Sequence, residues 1–181
     1  AGLAALRRNP LVTAVNADQV ISTTMSEANP LTGVGALHTA GVTGEGVDVL
    51  RLSVDTFRRV VDVNLTGAFL VARAAAREMG TGGAIIFNSA TVGVVAEPGQ
   101  ADLAASKAGV ILLAKTMALD LSPRGICVTA VCPGDVRTRT IEARLEDPLI
   151  AAEHLSRIPA GRLGEADELA APRRFPTSTR R

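Results

Sequence analysis

The sequence predicts an α/β fold in which an open sheet of parallel strands is covered by helices. Two short apolar runs, Ala84–Asn88 and 126–131, have the length and composition of buried strands. Two much longer segments with helical periodicity, 54–79 and Ala101–Leu121, alternate with these runs. Strands that are almost continuously apolar are buried on both faces, which is typical of a parallel sheet with helices packed against it.

The N-terminal part of the chain carries weaker signals. Residues 11–15 predict a short strand, and residues 36–39 predict the end of another. Between them, residues 19–35 are rich in Ser, Thr, Asn and Gly and predict no regular element. Ser53 is the expected N-cap of the helix 54–79, and the glycines that follow this helix are expected to end it.

The C-terminal half continues the alternation of strands and helices. The helix Ala101–Leu121 is expected to end at the Ser-Pro-Arg-Gly sequence that follows it, and the strand 126–131 is expected to end before Pro133. Residues 141–155 predict a helix that acts as a lid. Residues 165–171 predict the start of one more helix.

Length and charge narrow the class of protein. The chain of 181 residues is long enough for one globular domain, which we assign to residues 1–171. The basic tail 172–181 is expected to be disordered. A net charge of +1 gives no reason to expect a nucleic acid or a membrane as partner. No apolar run could span a bilayer and no secretory signal is visible, so a cytoplasmic location is expected.

Cysteine and histidine indicate no metal site. Cys127 and Cys132 lie five residues apart, on or just beyond a strand. We favour reduced thiols, and a disulfide between them is the alternative. No Cys/His cluster has the spacing of zinc ligands, so no metal is expected. His38 and His154 are isolated and are expected to be surface or loop residues.

The segment 84–110 contains a strand, a loop with Gly and Pro, and the start of a helix that carries Lys107. It resembles the catalytic segment of the short-chain dehydrogenase/reductase (SDR) family, and especially its 3-oxoacyl-carrier-protein reductases. Further motifs extend the resemblance over about residues 36–171: Ala40-Gly41, Val63-Asn64-Leu65-Thr66-Gly67, Pro133-Gly134 with Thr138, and Ile158-Pro159-Ala160-Gly161-Arg162-Leu163-Gly164. The resemblance implies a partial Rossmann-type, doubly wound parallel sheet.

The resemblance also implies a cofactor, a substrate class and site residues. The cofactor would be NAD or NADP, and the substrate a small alcohol or ketone. Asn64 and Lys107 would belong to a proton relay, with Lys107 also facing the ribose. The residues that the resemblance places at the cofactor are Asp18, Ala40, Gly41, Asn64, Lys107, Pro133, Gly134 and Thr138.

Two positions depart from the catalytic pattern of the family. The family has a Tyr four residues before the Lys and a Ser thirteen residues before that Tyr. Here Leu103 and Ala90 occupy these positions, and the chain contains no Tyr. Hydride reduction of a ketone requires a proton donor for the alkoxide and a hydrogen-bond donor for its oxygen. Leu and Ala supply neither, so weak or absent activity is expected.

Three neighbours could substitute for the missing hydroxyls. Ser89 would reach the site only if the end of the strand were irregular, because adjacent strand residues point to opposite faces. Asp102 lies about 100° around the helix from position 103. Lys107 could act as the acid if burial lowered its pKa. We keep Ser89 as a candidate catalytic residue beside Asn64 and Lys107.

The glycine-rich turn that holds the cofactor pyrophosphate in this family has no counterpart, because the glycine clusters at 32–35 and 43–46 have the wrong spacing. The phosphate-binding unit is therefore expected to be missing from a truncated, weakly active or inactive oxidoreductase. The alternative is a non-catalytic interaction protein that forms homo- or hetero-oligomers through helices 54–79 and 101–121. A third alternative is a chain that does not fold alone, since missing strands would leave an unpaired sheet edge.

Overall fold

The structure is a computed structural model, and it divides into two compact units between Cys132 and Pro133. It describes residues 44, 46–138, 141–142, 145–165 and 168. The expected strands at 11–15 and 36–39 and the tail 172–181 lie outside the described residues. The assignment of residues 1–171 to one domain stays a prediction.

The helix expected at 54–79 is present, but it has an interruption. Helix α1 spans Val54–Val61, a π-helical turn follows at Asp62–Thr66, and helix α2 spans Gly67–Glu78. The predicted helix is therefore confirmed, and the structure adds a π-helical turn around Asn64. A single wider turn shifts the apolar pattern too little to be visible in the sequence, and such turns often occur at functional sites.

Ser53 caps α1 as predicted. Its hydroxyl oxygen accepts a hydrogen bond from the backbone N–H of Thr56 at 3.0 Å. The backbone N–H groups in the first turn of a helix have no acceptor within the helix, and this bond supplies an acceptor for one of them.

Two parallel strands lie side by side, as the apolar runs predicted. Strand β1 spans Ala84–Asn88 and strand β2 spans Cys127–Val131, with Ala84 opposite Cys127. The second strand begins one residue later than expected. Ile126 is buried just before it, and its N–H donates to the carbonyl of Leu121 at 3.3 Å.

Helix α3 spans Ala101–Leu121, as predicted, and it supplies the centre of the core. Beyond it lie a short 3₁₀ turn at Ser122–Arg124 and Gly125, whose φ of 67° is left-handed and favours glycine. The core is built mainly from small and branched side chains on α2, α3 and the two strands: Ala68, Ala72, Ala76, Ile85, Phe87, Val110, Ala114, Met117, Ile126 and Val128.

In the second unit the expected helix 141–155 is not continuous, since residues 141–142 are helical whereas residues 145–147 lie outside any helix. Helix α4 spans Pro148–Ser156, and Asp147 caps it by accepting a hydrogen bond from the Leu149 N–H at 2.8 Å. Asp147 has an extended backbone, because a residue before proline is disfavoured in the α region. A continuous helix through Pro148 would also have lacked a backbone donor, so the chain starts a new helix there.

Ionic contacts connect the segments around α4. Arg137 forms ion pairs with Glu165 at 2.9 Å and with Glu142 at 3.4 Å. His154, which was expected to be a surface or loop residue, lies partly exposed on α4 with its Nε2 3.0 Å from Asp135 Oδ2.

No helix in the described part of the chain is long and apolar enough to cross a membrane. Within the same residues, no group of three or more His, Cys, Asp or Glu side chains could hold a metal ion.

Candidate active site

The candidate site lies where the end of β1 meets the first half of α3. Ser89 directly follows β1, and its N–H donates to the Val131 carbonyl at 2.8 Å. The chain then forms a 3₁₀ turn at Thr91–Gly93 that packs on α3. In an open α/β sheet, ligands bind at the carboxyl ends of the strands, and this junction is at such an end.

Gly93 brings the 3₁₀ turn into close contact with α3. A Cβ atom on Gly93 would lie 2.8 Å from the carbonyl carbon of Lys107 and 3.0 Å from the backbone nitrogen of Ala108. Both atoms belong to the helix backbone, so neither can move aside without moving the helix. Because Gly93 has no side chain, the turn that follows β1 can approach the backbone of α3 this closely at Lys107.

Hydrogen bonds hold both the side chain and the backbone of Lys107. Its Nζ donates to the backbone carbonyl of Asn88 at 3.2 Å, and its own carbonyl accepts a hydrogen bond from the Ser89 hydroxyl at 2.8 Å. The residue is 9% exposed, and burial lowers the pKa of its ammonium group below the usual lysine value. Within the described residues, no carboxylate forms an ion pair with it.

Asn64 joins the π-helical turn to α3. Its side-chain amide donates to the Ser106 hydroxyl at 3.1 Å, and that hydroxyl donates to the backbone carbonyl of Leu103 at 2.8 Å. Both Asn64 and Ser106 are buried. The hydrogen bond between Asn64 and Ser106 therefore holds the π turn against α3 at the residue directly before Lys107.

The positions of the missing hydroxyls are at the same junction. Leu103 lies one helical turn before Lys107 on α3, so the two side chains are neighbours on the helix surface. Ala90 follows Ser89 with an extended backbone. Both residues are partly exposed, and both present hydrocarbon where a proton donor and an oxyanion donor would be needed.

Asp102, the carboxylate next to the position of the missing acid, is buried. The residue is 1% exposed, and its Oδ1 accepts a hydrogen bond from the Leu103 N–H at 2.8 Å. Its Oδ2 has no hydrogen-bond partner among the residues that the structure describes. The carboxylate packs against Gly44, where any Cβ atom would overlap it.

The structure brings Asn64, Ser89 and Lys107 together around the first half of α3. The Ser89 hydroxyl is buried and donates its proton to a backbone carbonyl, so its catalytic role stays a prediction. The residues Pro133, Gly134 and Thr138 belong to the second unit, where the Thr138 hydroxyl accepts a hydrogen bond from the Ile141 N–H at 3.3 Å. Asp18, Ala40 and Gly41 lie outside the described residues.

Sequence reasoning missed three residues of this site. Ser106, Asn88 and Gly93 hold Asn64 and Lys107 in place through a hydroxyl, a backbone carbonyl and the absence of a side chain. Ser106 directly precedes Lys107, so a small polar residue on a buried helix face was a usable signal. The carbonyl of Asn88 left no sequence signal, because every residue has one.

The chain is similar to several known proteins. The sequence profile described as enoyl-(acyl carrier protein) reductase matches residues 12–178. A 3-oxoacyl-[acyl-carrier-protein] reductase of Synechocystis sp. is 36% identical over 160 residues, which are 87% of this chain and 62% of that protein. The inactive 2-(S)-hydroxypropyl-CoM dehydrogenase 2 of Xanthobacter autotrophicus is 36% identical over 157 residues, which are 83% of this chain and 67% of that protein.

Solved structures show the same fold. NAD⁺-bound xylitol dehydrogenase superposes with a TM-score of 0.69 at 30% identity, covering 77% of this chain and 60% of that one. Levodione reductase superposes with a TM-score of 0.68 at 28% identity, covering 77% and 57%. The chain belongs to the short-chain dehydrogenase/reductase family, has its Rossmann-type α/β fold, and is similar to the 3-oxoacyl-carrier-protein reductases. It spans less than two thirds of the length of the Synechocystis relative.

Proposed function

We propose that this chain is an NAD(P)-dependent oxidoreductase by descent in which hydride transfer is weak or absent. One observation carries the proposal: Lys107 and Asn64 are held in a built site, while Leu103 and Ala90 stand where the hydroxyls should be. Loss of a positioned acid typically reduces the rate by about 10²–10⁴. Loss of an oxyanion donor reduces it by a further factor of about 10² or more.

The described residues fit a dinucleotide in part. A lysine ammonium has three N–H donors, and Lys107 gives one of them to Asn88, so the others remain for ribose hydroxyls. By resemblance to the family alone, Pro133, Gly134 and Thr138 are expected to contact the nicotinamide amide. When bound, the cofactor would supply the hydride. The ammonium of Lys107 would orient the ribose and lower the pKa of a proton donor placed at position 103.

Restoring the hydroxyls tests this proposal. In the variant with Leu103→Tyr and Ala90→Ser, we expect reduction of a 3-oxoacyl thioester by NADH or NADPH to rise by about 10² or more, because a proton donor and an oxyanion donor return together. The matched control carries Leu103→Phe with Ala90→Ser, which adds the ring without its hydroxyl. A restored variant as slow as the phenylalanine control, or an unaltered chain as fast as the restored variant, would contradict the proposal.

A second candidate function is pairing with another SDR chain. The observation in its favour is the set of large apolar side chains that the two long helical segments leave exposed: Val54, Phe57, Phe69, Leu112 and Leu119. On α3, Leu112 is 65% exposed and Leu119 77% exposed. Apolar side chains grouped on a helix face are typical of interaction surfaces.

Sedimentation measures this pairing directly. We expect the unaltered chain to sediment as a dimer, and Leu112→Glu with Leu119→Glu to sediment as a monomer, since buried unpaired carboxylates oppose association. Leu149→Glu on α4, also at an exposed leucine, is the control and should leave the mass unchanged. A monomeric unaltered chain that also fails to co-elute with an intact 3-oxoacyl-carrier-protein reductase would refute this second function.

A further inference from the structure

Strand β2 has one edge with which no described residue pairs. At the start of the strand, the N–H of Cys127 donates to the Gly83 carbonyl at 2.9 Å. The backbone groups of successive residues in a strand face alternate edges, so every second residue from Cys127 to Val131 bonds to β1. The N–H and C=O groups of Val128 and Ala130 therefore lie on the outer edge, where they have no partner among the described residues.

The sequence of this edge lacks the features that usually prevent strands from pairing. Residues 126–132, Ile-Cys-Val-Thr-Ala-Val-Cys, contain no charged residue, no proline and no glycine. Natural edge strands are commonly protected by a charged side chain, a proline or a bulge. A short uncharged segment rich in β-branched residues pairs readily with an identical segment. The composition of the edge therefore favours a second copy of the same strand as its partner.

A groove of about 380 Å³ runs along the same edge. Its walls are residues 128–130 of β2 and one face of α3 that includes Ile111 and Leu119, and within the described part of the chain they contain no residue of β1. Lys115 also lines the groove, and its aliphatic stem can cover apolar surface while its ammonium group stays in water. A strand added at this edge would therefore gain apolar contacts with α3 as well as backbone hydrogen bonds.

The outer edge of β2 is complementary to itself about Thr129. In an antiparallel pair, residues whose backbone groups face the partner exchange both of their hydrogen bonds with each other. Val128 of one copy would lie opposite Ala130 of the other, and the reverse, so the outward N–H and C=O groups of both residues would be paired. Thr129 would face its own counterpart across a two-fold axis, with the Cα atoms about 4.5 Å apart. Threonine pairs in such cross-strand positions are stabilising.

We propose that the outer edge of β2 is a self-association site, at which β2 of a second copy pairs antiparallel across a two-fold axis at Thr129. The two sheets become one continuous sheet, with the α3 helices of both copies on the same face. A two-fold contact uses the same surface of each copy and is closed, so the association stops at a dimer. The contact needs no dinucleotide, so this inference does not rest on hydride transfer.

Cysteine cross-linking tests the register of this pair. Thr129→Cys is made together with Cys127→Ser and Cys132→Ser, and the covalent dimer formed with copper phenanthroline is measured on non-reducing gels. The control is Cys132→Ser alone, which keeps the exposed Cys127 two residues earlier on the same strand. In the proposed register the two Cys127 residues would lie about 13 Å apart along the strands, beyond the reach of a disulfide. We expect Thr129→Cys to cross-link about tenfold faster or more, because its Cα separation suits a disulfide. Cross-linking of the control at the same rate, or faster, would overturn the proposal.

A second pair of variants separates the strand edge from the exposed helix faces. Thr129→Lys places two ammonium groups opposite each other across the axis and should sediment as a monomer, since like charges in a cross-strand pair are destabilising. Thr129→Val keeps the shape without the charge and should sediment as a dimer. A dimer that survives Thr129→Lys would overturn the proposal and assign association to the helix faces instead. Neither variant changes Lys107 or Asn64, so the outcome is independent of the hydride-transfer experiment and either proposal can fail alone.

Discussion

At the scale of single residues, the site is determined by a few buried polar contacts. Asn64, Ser106 and Leu103 form one chain of hydrogen bonds, and Asn88, Lys107 and Ser89 form another. Each joins residues far apart in sequence through groups shielded from water. Buried polar groups require partners, so loss of one member removes a hydrogen bond from another.

Ser106→Ala tests the first of these chains. We expect the free energy of unfolding to fall by about 1–3 kcal/mol, because the Asn64 side-chain amide loses a buried acceptor and the partly buried Leu103 carbonyl loses its side-chain donor. Ser122 also donates to a carbonyl three residues earlier but is exposed, so Ser122→Ala is the matched control and should stay within about 0.5 kcal/mol. Urea unfolding of both variants gives the comparison. Equal effects would show that the buried hydroxyl has no special role.

At the scale of elements, close backbone approach determines how the loop after β1 meets α3. The 3₁₀ turn at Thr91–Gly93 contacts α3 through a glycine whose place no other residue can take without displacing the helix backbone. The π turn at Asp62–Thr66 contacts α3 in a different way, because its Asn64 side-chain amide donates a hydrogen bond to Ser106 on that helix.

Gly93→Ala tests the first contact. The added Cβ meets helix backbone at 2.8 Å, so we expect destabilisation of about 1–3 kcal/mol, as for other overpacked sites. Gly80 has nothing within 4 Å of its Cβ position and no positive φ, so Gly80→Ala should change stability by less than about 0.5 kcal/mol. Thermal unfolding of the two variants measures the difference. If Gly93→Ala unfolds like Gly80→Ala, the turn does not pack on the helix as described.

The second unit gives a prediction about pH. The Arg162 guanidinium and the Glu165 N–H donate to Glu168 and lower the pKa of its carboxyl to about 2. A carboxyl whose pKa is lower in the folded state stabilises that state above the unfolded pKa and loses this effect as the pH falls towards 2. In Arg162→Gln, we expect an NMR titration to show a higher pKa for Glu168. Arg157→Gln breaks a different exposed pair and should leave that pKa unchanged.

At the scale of the whole molecule, ligand binding and stability are linked. Any ligand that binds only the folded chain raises its stability, by about 2.7 kcal/mol at a concentration one hundred times the Kd. This linkage reports cofactor binding even in a chain that catalyses nothing. It therefore separates the binding half of the proposed function from the catalytic half.

We expect NADH or NADPH to raise the unfolding temperature of the unaltered chain in a concentration-dependent way. Lys107→Met should remove most of this shift, because the ammonium that would bind ribose hydroxyls is lost. Lys115→Met changes an exposed lysine on the same helix and should retain it. Differential scanning fluorimetry makes the comparison. A shift that is absent from the unaltered chain, or unaffected by Lys107→Met, would contradict cofactor binding at this site.

The sequence alone determined the class of fold, the family and the bounds of some of the regular elements. Helix α3 and strand β1 have the predicted ends, because apolar periodicity and the Gly and Pro residues that stop an element are local properties. The start of α4 was missed although its signal, Asp147 before Pro148, is also local. The replacements at Ala90 and Leu103 were also visible in the sequence, because both positions are found by counting residues back from Lys107.

Only the tertiary structure decided which polar groups are buried and what they contact. The π turn, the Ser106 contact with Asn64 and the burial of Asp102 depend on segments that are separated in sequence, with Asn64 and Ser106 lying 42 residues apart. The same applies to the pKa of Lys107, which is lowered by desolvation and thus by everything packed around it. Local sequence patterns set which element a residue joins, whereas its solvation is set by distant parts of the chain.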